Sequence, residues 1–415
     1  MNIKRLVMAA MGLLLCGLLV TYALFEKNEV APRTAEEPKP VVRVLSCYEI
    51  RQEKELLERL ADDFNRQQEN FLVQIEFIDK EDLIKDVCLK VDSGTQPDIV
   101  ICDSMEMPGL ADMGVLEDVT DLVQEKMLYR LIYQGMWQSV MNNGAYYGIP
   151  FTCNPYVLFC NSDYLRKLEK SVPNTWEAVF DICKGSNQNG IYGLGMGVKR
   201  STDGAAVFNY ILHACGANYY NLSGENGVRA LKIADTLKRL GYVDKYCINS
   251  TQKDAAASFA RGQSAMLLAP LDTQIWLENA DARVPYVICT VPREIKNGYV
   301  LSGDNLGLLK GASEEASLFV EYLYSPQVRW QLVEGTGTLP IFQEEFTAYE
   351  KEGRLKSLND RFMRQGEIQK HYNSWFELSG ILSDGLRSLL TKRNMDLVEA
   401  AEQLQDSVRL AVMSN

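Results

Sequence analysis

The sequence predicts an α/β fold built as two domains, and three observations carry that reading. From residue 41 onward, short apolar runs alternate with longer amphipathic segments, the pattern of βα units and mostly parallel sheets. At 415 residues the chain exceeds what one hydrophobic core organises. Its 47% apolar and 24% charged residues are those of an ordinary globular chain rather than a disordered or fibrous one.

The first residues stand apart from that pattern. Met1-Asn2-Ile3-Lys4-Arg5 is basic, and Leu6 to Phe25 is twenty residues without a charge, long enough to span a bilayer. Residues 1–25 therefore read as an N-terminal signal or anchor segment that leaves its positive end inside and exports the body. Thr21-Tyr22-Ala23 is a poor cleavage site, which favours retention. Lipidation of Cys16 is the other reading, although Leu15 stands where a small residue should precede a lipid-bearing cysteine. Residues 26–41 mix Pro32, Pro38 and Pro40 with Glu and Lys, without apolar periodicity, and read as a linker.

Val41 to Leu45 is the first strand. Lys54 to Gln67 follows, with Leu56, Leu57, Leu60, Ala61 and Phe64 at helical spacing, then an alternating strand from Phe71 to Ile78. Glu81 to Val91 is helical again, and Asp98 to Cys102 is a third, fully buried strand. Ligands bind beyond the ends of such strands in open α/β sheets, which points to the loops Ser46 to Glu49 and Asp103 to Met105. Tyr48 and Asp103 are their best ligand candidates, with Glu49 beside them; the alternative is that Tyr48 packs and Asp103 caps the next helix.

Gly148 opens an apolar run to Cys160 in which a strand could cross between the domains. Thr175, ahead of Trp176-Glu177, is a good helix N-cap. A second α/β region covers roughly residues 158–300, and the glycines of Gly298 to Asn305 permit a bend before a returning strand at Leu306 to Lys310. A helical pair from Ser313 to Gly335 is broken at Ser325-Pro326, and helices at Trp375 to Leu390 and Leu397 to Val412 end the chain.

Composition removes several function classes. The net charge is −12, and the 43 basic residues form no block, so nucleic acid is excluded as a partner. There is no CxxC and only His213 and His371, so no metal site is expected. Nor is there a GxSxG elbow, P-loop or HExxH. A carboxylate pair for glycoside hydrolysis stays open among the 55 acidic residues, because its spacing is set by the fold. Nine cysteines follow the first segment without short repeated spacing; Cys88, Cys102, Cys153, Cys160 and Cys289 sit in apolar runs and read as small buried hydrophobes. Trp176 and Trp330 read as packing residues, and Tyr219-Tyr220 as packing rather than as ferric-ion ligands.

Six segments, in order, carry a resemblance: Ser93-Gly94-Thr95-Gln96-Pro97-Asp98-Ile99-Val100; Leu110 to Asp118; Tyr146-Tyr147-Gly148-Ile149-Pro150-Phe151; Pro173-Asn174-Thr175-Trp176-Glu177; Phe259 to Met266; and Gly335-Thr336-Gly337-Thr338-Leu339-Pro340. Over roughly residues 42–410 the chain resembles the extracellular solute-binding proteins of family 1, the maltose-binding-like subunits of ABC importers. The resemblance implies a type II periplasmic-binding-protein fold, two α/β lobes joined by hinge strands. The lobes would be residues 42–150 plus 306–340 and residues 151–305 plus 341–415.

By position, the resemblance implies ligand contacts from Asp103, Ser104 and Glu106, from Phe151 and Asn154 on the crossing strand, and from Leu271, Asp272 and Trp276 in the second lobe. Asp304 and Asn305 flank the second crossing, and Trp375 stands where relatives often place a stacking tryptophan. One departure is that Ala269-Pro270 leads into Leu271, where sugar-binding relatives commonly carry tryptophan. The implied function is extracytoplasmic binding of a sugar or oligosaccharide, without cofactor or catalysis, by a membrane-tethered monomer that delivers ligand to an ABC permease. A ligand sensor facing a membrane kinase is the alternative, followed by a carbohydrate-active enzyme.

Overall fold

The structure is a computed structural model that describes residues 39–281, 283–342, 345, 356–368 and 375–413. The expected N-terminal segment, nearly all of the linker, and His371 lie outside the described residues. Among the described residues no helix is long and apolar enough to cross a membrane.

Strand β1 (Val41–Ser46) is rich in Val and Leu and lies between two parallel partners, β2 (Leu72–Phe77) and β3 (Ile99–Asp103). Burial on both faces makes such strands continuously apolar, as Ile99-Val100-Ile101-Cys102 is. Helix Arg51–Gln67 packs over this sheet through Leu56, Leu57, Leu60, Ala61 and Phe64, the residues its spacing singled out. Each buried Leu or Phe side chain there contributes about 1.5–3 kcal/mol. A short hairpin, β4 (Met141–Asn142) with β5 (Ala145–Tyr146), precedes β6 (Ile149–Pro150).

The second sheet begins with β7 (Tyr156–Asn161) and β8 (Tyr192–Gly195), and continues with β9 (Ser264–Pro270) and β10 (Tyr286–Thr290). Its order is β10-β7-β9-β8, with only β8 and β9 parallel. The chain then passes β11 (Val300–Leu301) and returns to the first sheet as β12 (Asp304–Leu308). There β12 lies antiparallel between β3 and β6, giving the order β2-β1-β3-β12-β6. The returning strand starts two residues before the sequence suggested, because Asp304 and Asn305 already pair with Asp103 and Cys102.

Two segments therefore pass between the sheets, residues 151–155 and 302–303, and they run side by side. Phe151 N–H donates to Asp304 O at 2.8 Å, and Asn154 N–H donates to Ser302 O at 2.8 Å. Leu339 N–H donates to Cys153 O at 2.8 Å and lays a third segment alongside.

Two hydrophobic clusters result. The first fills the β1 sheet and continues onto one face of the second sheet through Val157, Phe159, Leu267 and Ala269. The second takes the other face through Leu158, Cys160, Met266 and Leu268, the two-residue period of a strand. Helix Trp375–Thr391 packs on helices Thr202–Ala214 and Glu225–Arg239 in that second cluster. Helix Lys356–Gln365, expected with the second lobe, instead places Leu358 and Phe362 in the first cluster, and β13 (Glu367–Ile368) pairs with β11.

Thr175 caps helix Trp176–Gln188 by accepting from Ala178 N–H at 3.2 Å. Trp176 is buried as expected, whereas Trp330 is only half-buried, because it is Arg329 that points inward from that helix. All nine cysteines of the described body are free thiols, six buried and three half-buried, Cys88 and Cys289 among the latter.

Candidate functional site

Strand register decides which polar groups meet. The antiparallel pairing of β12 with β3 places Asp304 directly opposite Asp103, at the sheet end that faces the second lobe. The pairing of β7 with β9 sets Tyr156 opposite Pro270, which brings Asn154 and Asp272 together just beyond the strand ends. Asn154 Nδ2 donates to Asp272 Oδ2 at 2.7 Å, and Asp272 N–H donates back to Asn154 Oδ1 at 3.0 Å. Thr152 Oγ1 donates to Asp304 Oδ2 at 2.8 Å, and Met105 N–H donates to Asp103 Oδ1 at 2.8 Å.

Except for Thr152, these residues line a cleft of about 450 Å³ between the lobes. The first lobe supplies Tyr48, Glu49, Glu53, Lys80 and Asp103; the second supplies Asn154, Tyr156, Asp203, Tyr210, Asp272 and Trp276; Ser302 to Asp304 form the hinge side, and Trp375 closes one end. Tyr156 and Tyr210 lie with ring centroids 4.7 Å apart, and the Tyr210 hydroxyl meets Ser302 Oγ at 2.6 Å. Across the mouth the lobes touch. Lys80 Nζ donates to Asp203 Oδ1 at 2.6 Å, and Glu81 Oε1 accepts from Thr202 N–H at 2.8 Å, at the start of helix Thr202–Ala214.

Of the residues expected at the site, Tyr48, Glu49, Asp103, Asn154, Asp272, Trp276, Asp304 and Trp375 line the cleft. Four others belong to the wall behind it. Phe151 is fully buried and edge-on to Tyr324, with its backbone carbonyl held by Arg329. Asn305 is fully buried and accepts from Ser139 Oγ at 3.2 Å, since neighbours on a strand face opposite ways. Ser104 is buried, and its N–H donates to Gly303 O at 2.8 Å. Glu106 is buried just ahead of helix Met107–Asp112 and does not reach the cleft. Leu271 is likewise buried, and Trp276 is the aromatic that faces the opening.

Sequence reasoning missed Lys80, Glu53, Asp203, Tyr156 and Tyr210. Lys80 follows the end of β2, so the strand-end rule that found Tyr48 and Asp103 reaches it too. Tyr210 lies inside an apolar helical run and carries no local signal.

The cleft is acidic, and burial makes several of its carboxyls hold their protons more tightly than usual. Burial, with the Asp103 charge adding to it, pushes Asp304 up to about 7. Burial lifts Asp272 to about 6 against the opposing Asn154 hydrogen bond and Lys80 charge. Behind the wall, burial and the nearby Asp103 push Glu106 up to about 8. Lys80 goes the other way from most buried lysines: burial disfavours its charge, but Asp203 and Glu49 outweigh it and raise the pKa.

The folded protein thus binds protons that the unfolded chain, with carboxyls near 4, releases. This contribution to stability is complete below about pH 4 and is lost as pH rises through about 6 to 8. Calorimetry of the ligand-free protein is expected to show a melting temperature that falls from pH 5 to pH 8, with a shallower fall in Asp304→Asn. A melting temperature that rises over that range would show these carboxyls to be solvated or paired.

Comparison with known proteins agrees with this geometry. Residues 59–352 match the family described as bacterial extracellular solute-binding protein. A curated relative, an uncharacterised lipoprotein of the oleD 5' region in Streptomyces antibioticus, is 26% identical over 155 residues; the match covers 36% of this chain and about a third, 34%, of that protein's length. Among solved structures, maltose-bound MalE3 of T. maritima superposes with a TM-score of 0.79 at 19% identity, over 89% of this chain and 99% of that one. The GacH receptor of Streptomyces glaucescens, solved unliganded and with acarbose, superposes with a TM-score of 0.78 at 17% identity, over 91% and 99%. The fold is the type II periplasmic-binding-protein fold, two α/β lobes joined by hinge strands. By its family match and its architecture, the chain belongs to the bacterial extracellular solute-binding proteins.

Proposed function

We propose that this protein binds a sugar or oligosaccharide outside the cytoplasm and delivers it to an ABC importer. The observation that carries the reading is the cleft itself: about 450 Å³, within the usual range for small-molecule sites, lined from both lobes by aromatic rings and by carboxylate and amide groups. Aromatic faces suit the apolar faces of a pyranose, and the polar side chains suit its hydroxyl rim. The solved structures that share the fold include complexes with maltose and with acarbose.

The work is done by closure rather than by bond breaking. Contacts from Asp272 and Trp276 in one lobe and from Tyr48 and Asp103 in the other form together only when the lobes approach, so ligand shifts the population toward the closed state. The Lys80 to Asp203 and Glu81 to Thr202 contacts hold the same state from the mouth. The N-terminal segment keeps the monomer at the membrane next to the permease. Its lobes divide near residues 150 and 305, where the chain crosses.

A screen of mono- and oligosaccharides by melting temperature and tryptophan fluorescence tests the reading. A bound sugar raises the melting temperature by mass action. Trp276→Ala and Trp375→Ala are each expected to weaken binding by about tenfold or more, the loss of roughly 1.4 kcal/mol of stacking. Folded variants of both with unchanged affinity would remove the two tryptophans from the site. Hydrolysis of a chromogenic glycoside with no shift by any sugar would overturn the transport reading.

A further inference from the structure

The cleft holds more carboxyl groups than its own cations could neutralise. Six carboxylates line it, Glu49, Glu53, Asp103, Asp203, Asp272 and Asp304, against Arg51, Lys80 and Lys253. Lys80 is already engaged: its Nζ sits 2.6 Å from Asp203 and 3.9 Å from Glu49. Arg51 pairs with Glu55 on the outer face of its helix, and Lys253 is exposed. Among the described residues no ion pair reaches Glu53, Asp103, Asp272 or Asp304. The hydrogen bonds that hold the three aspartates come instead from neutral groups, Asn154, Thr152 and the Met105 backbone.

Buried carboxylates in proteins are normally matched by a cation or a metal, because uncompensated charge away from water is costly. Glu53 is only 4% exposed, yet it lines the cleft within the field of Asp272 and Asp304. Tyr48 lies beside it, 5% exposed, with a hydroxyl that has no hydrogen-bond partner among the described residues. The Glu53 carboxyl is met by the Ile50 backbone and, among the described residues, by no cation. A metal ion does not fit, since among the described residues no group of three His, Cys, Asp or Glu could hold one. The carboxyls are instead spread along a wall that also carries the half-buried ring of Trp276 and the edges of Tyr156, Tyr210 and Trp375, which are 4–5% exposed, surfaces that favour an organic cation and a sugar face alike.

We infer that the solute is an amino sugar, its protonated amine held against the carboxylates of Glu53, Asp272 and Asp304 while its ring lies on the cleft aromatics. The inference rests on the sugar reading above and narrows it. A neutral sugar satisfies hydroxyl hydrogen bonds and leaves the buried carboxyls of Glu53, Asp272 and Asp304 favouring their protonated forms; an ammonium group supplies both donors and the countercharge that lets them ionise. An acetylated amine keeps the size of the substituent and loses the charge, which makes it the decisive comparison.

Titration calorimetry on the full chain in detergent, at 0.02 M and 0.3 M sodium chloride, would compare D-glucosamine and its β-1,4 oligomers with the N-acetylated forms, with glucose and maltotetraose, and with spermidine. The amine-bearing sugars are expected to bind about tenfold or more tightly than their acetylated and neutral counterparts, with an advantage that shrinks at high salt. Asp304→Asn and Asp272→Asn are expected to reduce that ratio; where either fails to fold, the wild-type ratio decides. Neutral or acetylated sugars binding as tightly as the amines would overturn the inference and leave the sugar reading in place. Spermidine binding without any carbohydrate binding would overturn the sugar reading and this inference with it, and failure of every amine-bearing probe to bind would overturn the inference.

Discussion

Gly303→Ala is expected to lower the melting temperature by roughly 5 °C or more and to weaken solute binding at least about tenfold. Gly303 sits where the chain crosses back between the lobes, with a φ of 150°, a conformation that side chains rarely adopt. Space is the harder limit. A Cβ there would lie 2.3 Å from Thr152 O and 2.9 Å from Asn154 N, both backbone atoms of the opposing crossing segment. Backbone cannot rotate aside as a flexible side chain would, so the two segments must separate.

Separation would break the Phe151 to Asp304 and Asn154 to Ser302 hydrogen bonds and turn Asp304 relative to Asp272. Strain and overpacking each cost about 1–3 kcal/mol, and here they act together. Gly94→Ala is the control: its φ is 67°, but nothing lies within 4 Å of the added carbon, so only the conformational cost of about 1 kcal/mol applies. Thermal melts and binding isotherms of the two variants check this. Equal melting temperatures would mean that the crossing segments are free to part.

That hinge also shows where sequence reasoning reaches its limit. Strands buried on both faces, such as β3, and the helix from Arg51 declare themselves by period and apolarity, and the strand-end rule led to Tyr48, Glu49 and Asp103. The errors fell on neighbouring pairs. Asp304 and Asn305 were both expected in the site, as were Asp103 and Ser104, and in each pair only the first lines the cleft: the pleat of β12 turns Asn305 to the opposite face, and Ser104 is buried in the turn that follows β3. Phe151 was chosen for its place on the crossing, but full burial against Tyr324 makes it support for the hinge. Tyr210 and Asp203 were beyond local reading, because helix Thr202–Ala214 forms after the chain has crossed to the second lobe and meets Lys80 and Glu81 only through contacts far apart in sequence.

The largest loss of stability is expected from Arg329→Met, about 3–5 kcal/mol, although Arg329 touches no ligand. The side chain is 1% exposed. Its Nε donates to Glu345 Oε1 at 2.9 Å, its Nη1 donates to Phe151 O at 2.7 Å, and the guanidinium lies 5.3 Å from the ring centre of Phe342. Glu345 in turn accepts from the Ile341 and Phe342 N–H groups through Oε2, each at 3.2 Å. One buried ion pair thus ties helix Pro326–Thr336 to the first residue of the crossing and to the segment that runs beside it. Methionine fills much of the volume but strands a buried carboxylate and a buried carbonyl, and the unmatched carboxylate dominates the cost. The double variant Arg329→Met with Glu345→Leu removes both charges and is therefore expected to recover a large part of the loss. Denaturant unfolding of the wild type, the two single variants and the double variant measures this coupling. Costs that simply add, with no recovery in the double variant, would show that the pair is not what pins the crossing to its neighbours.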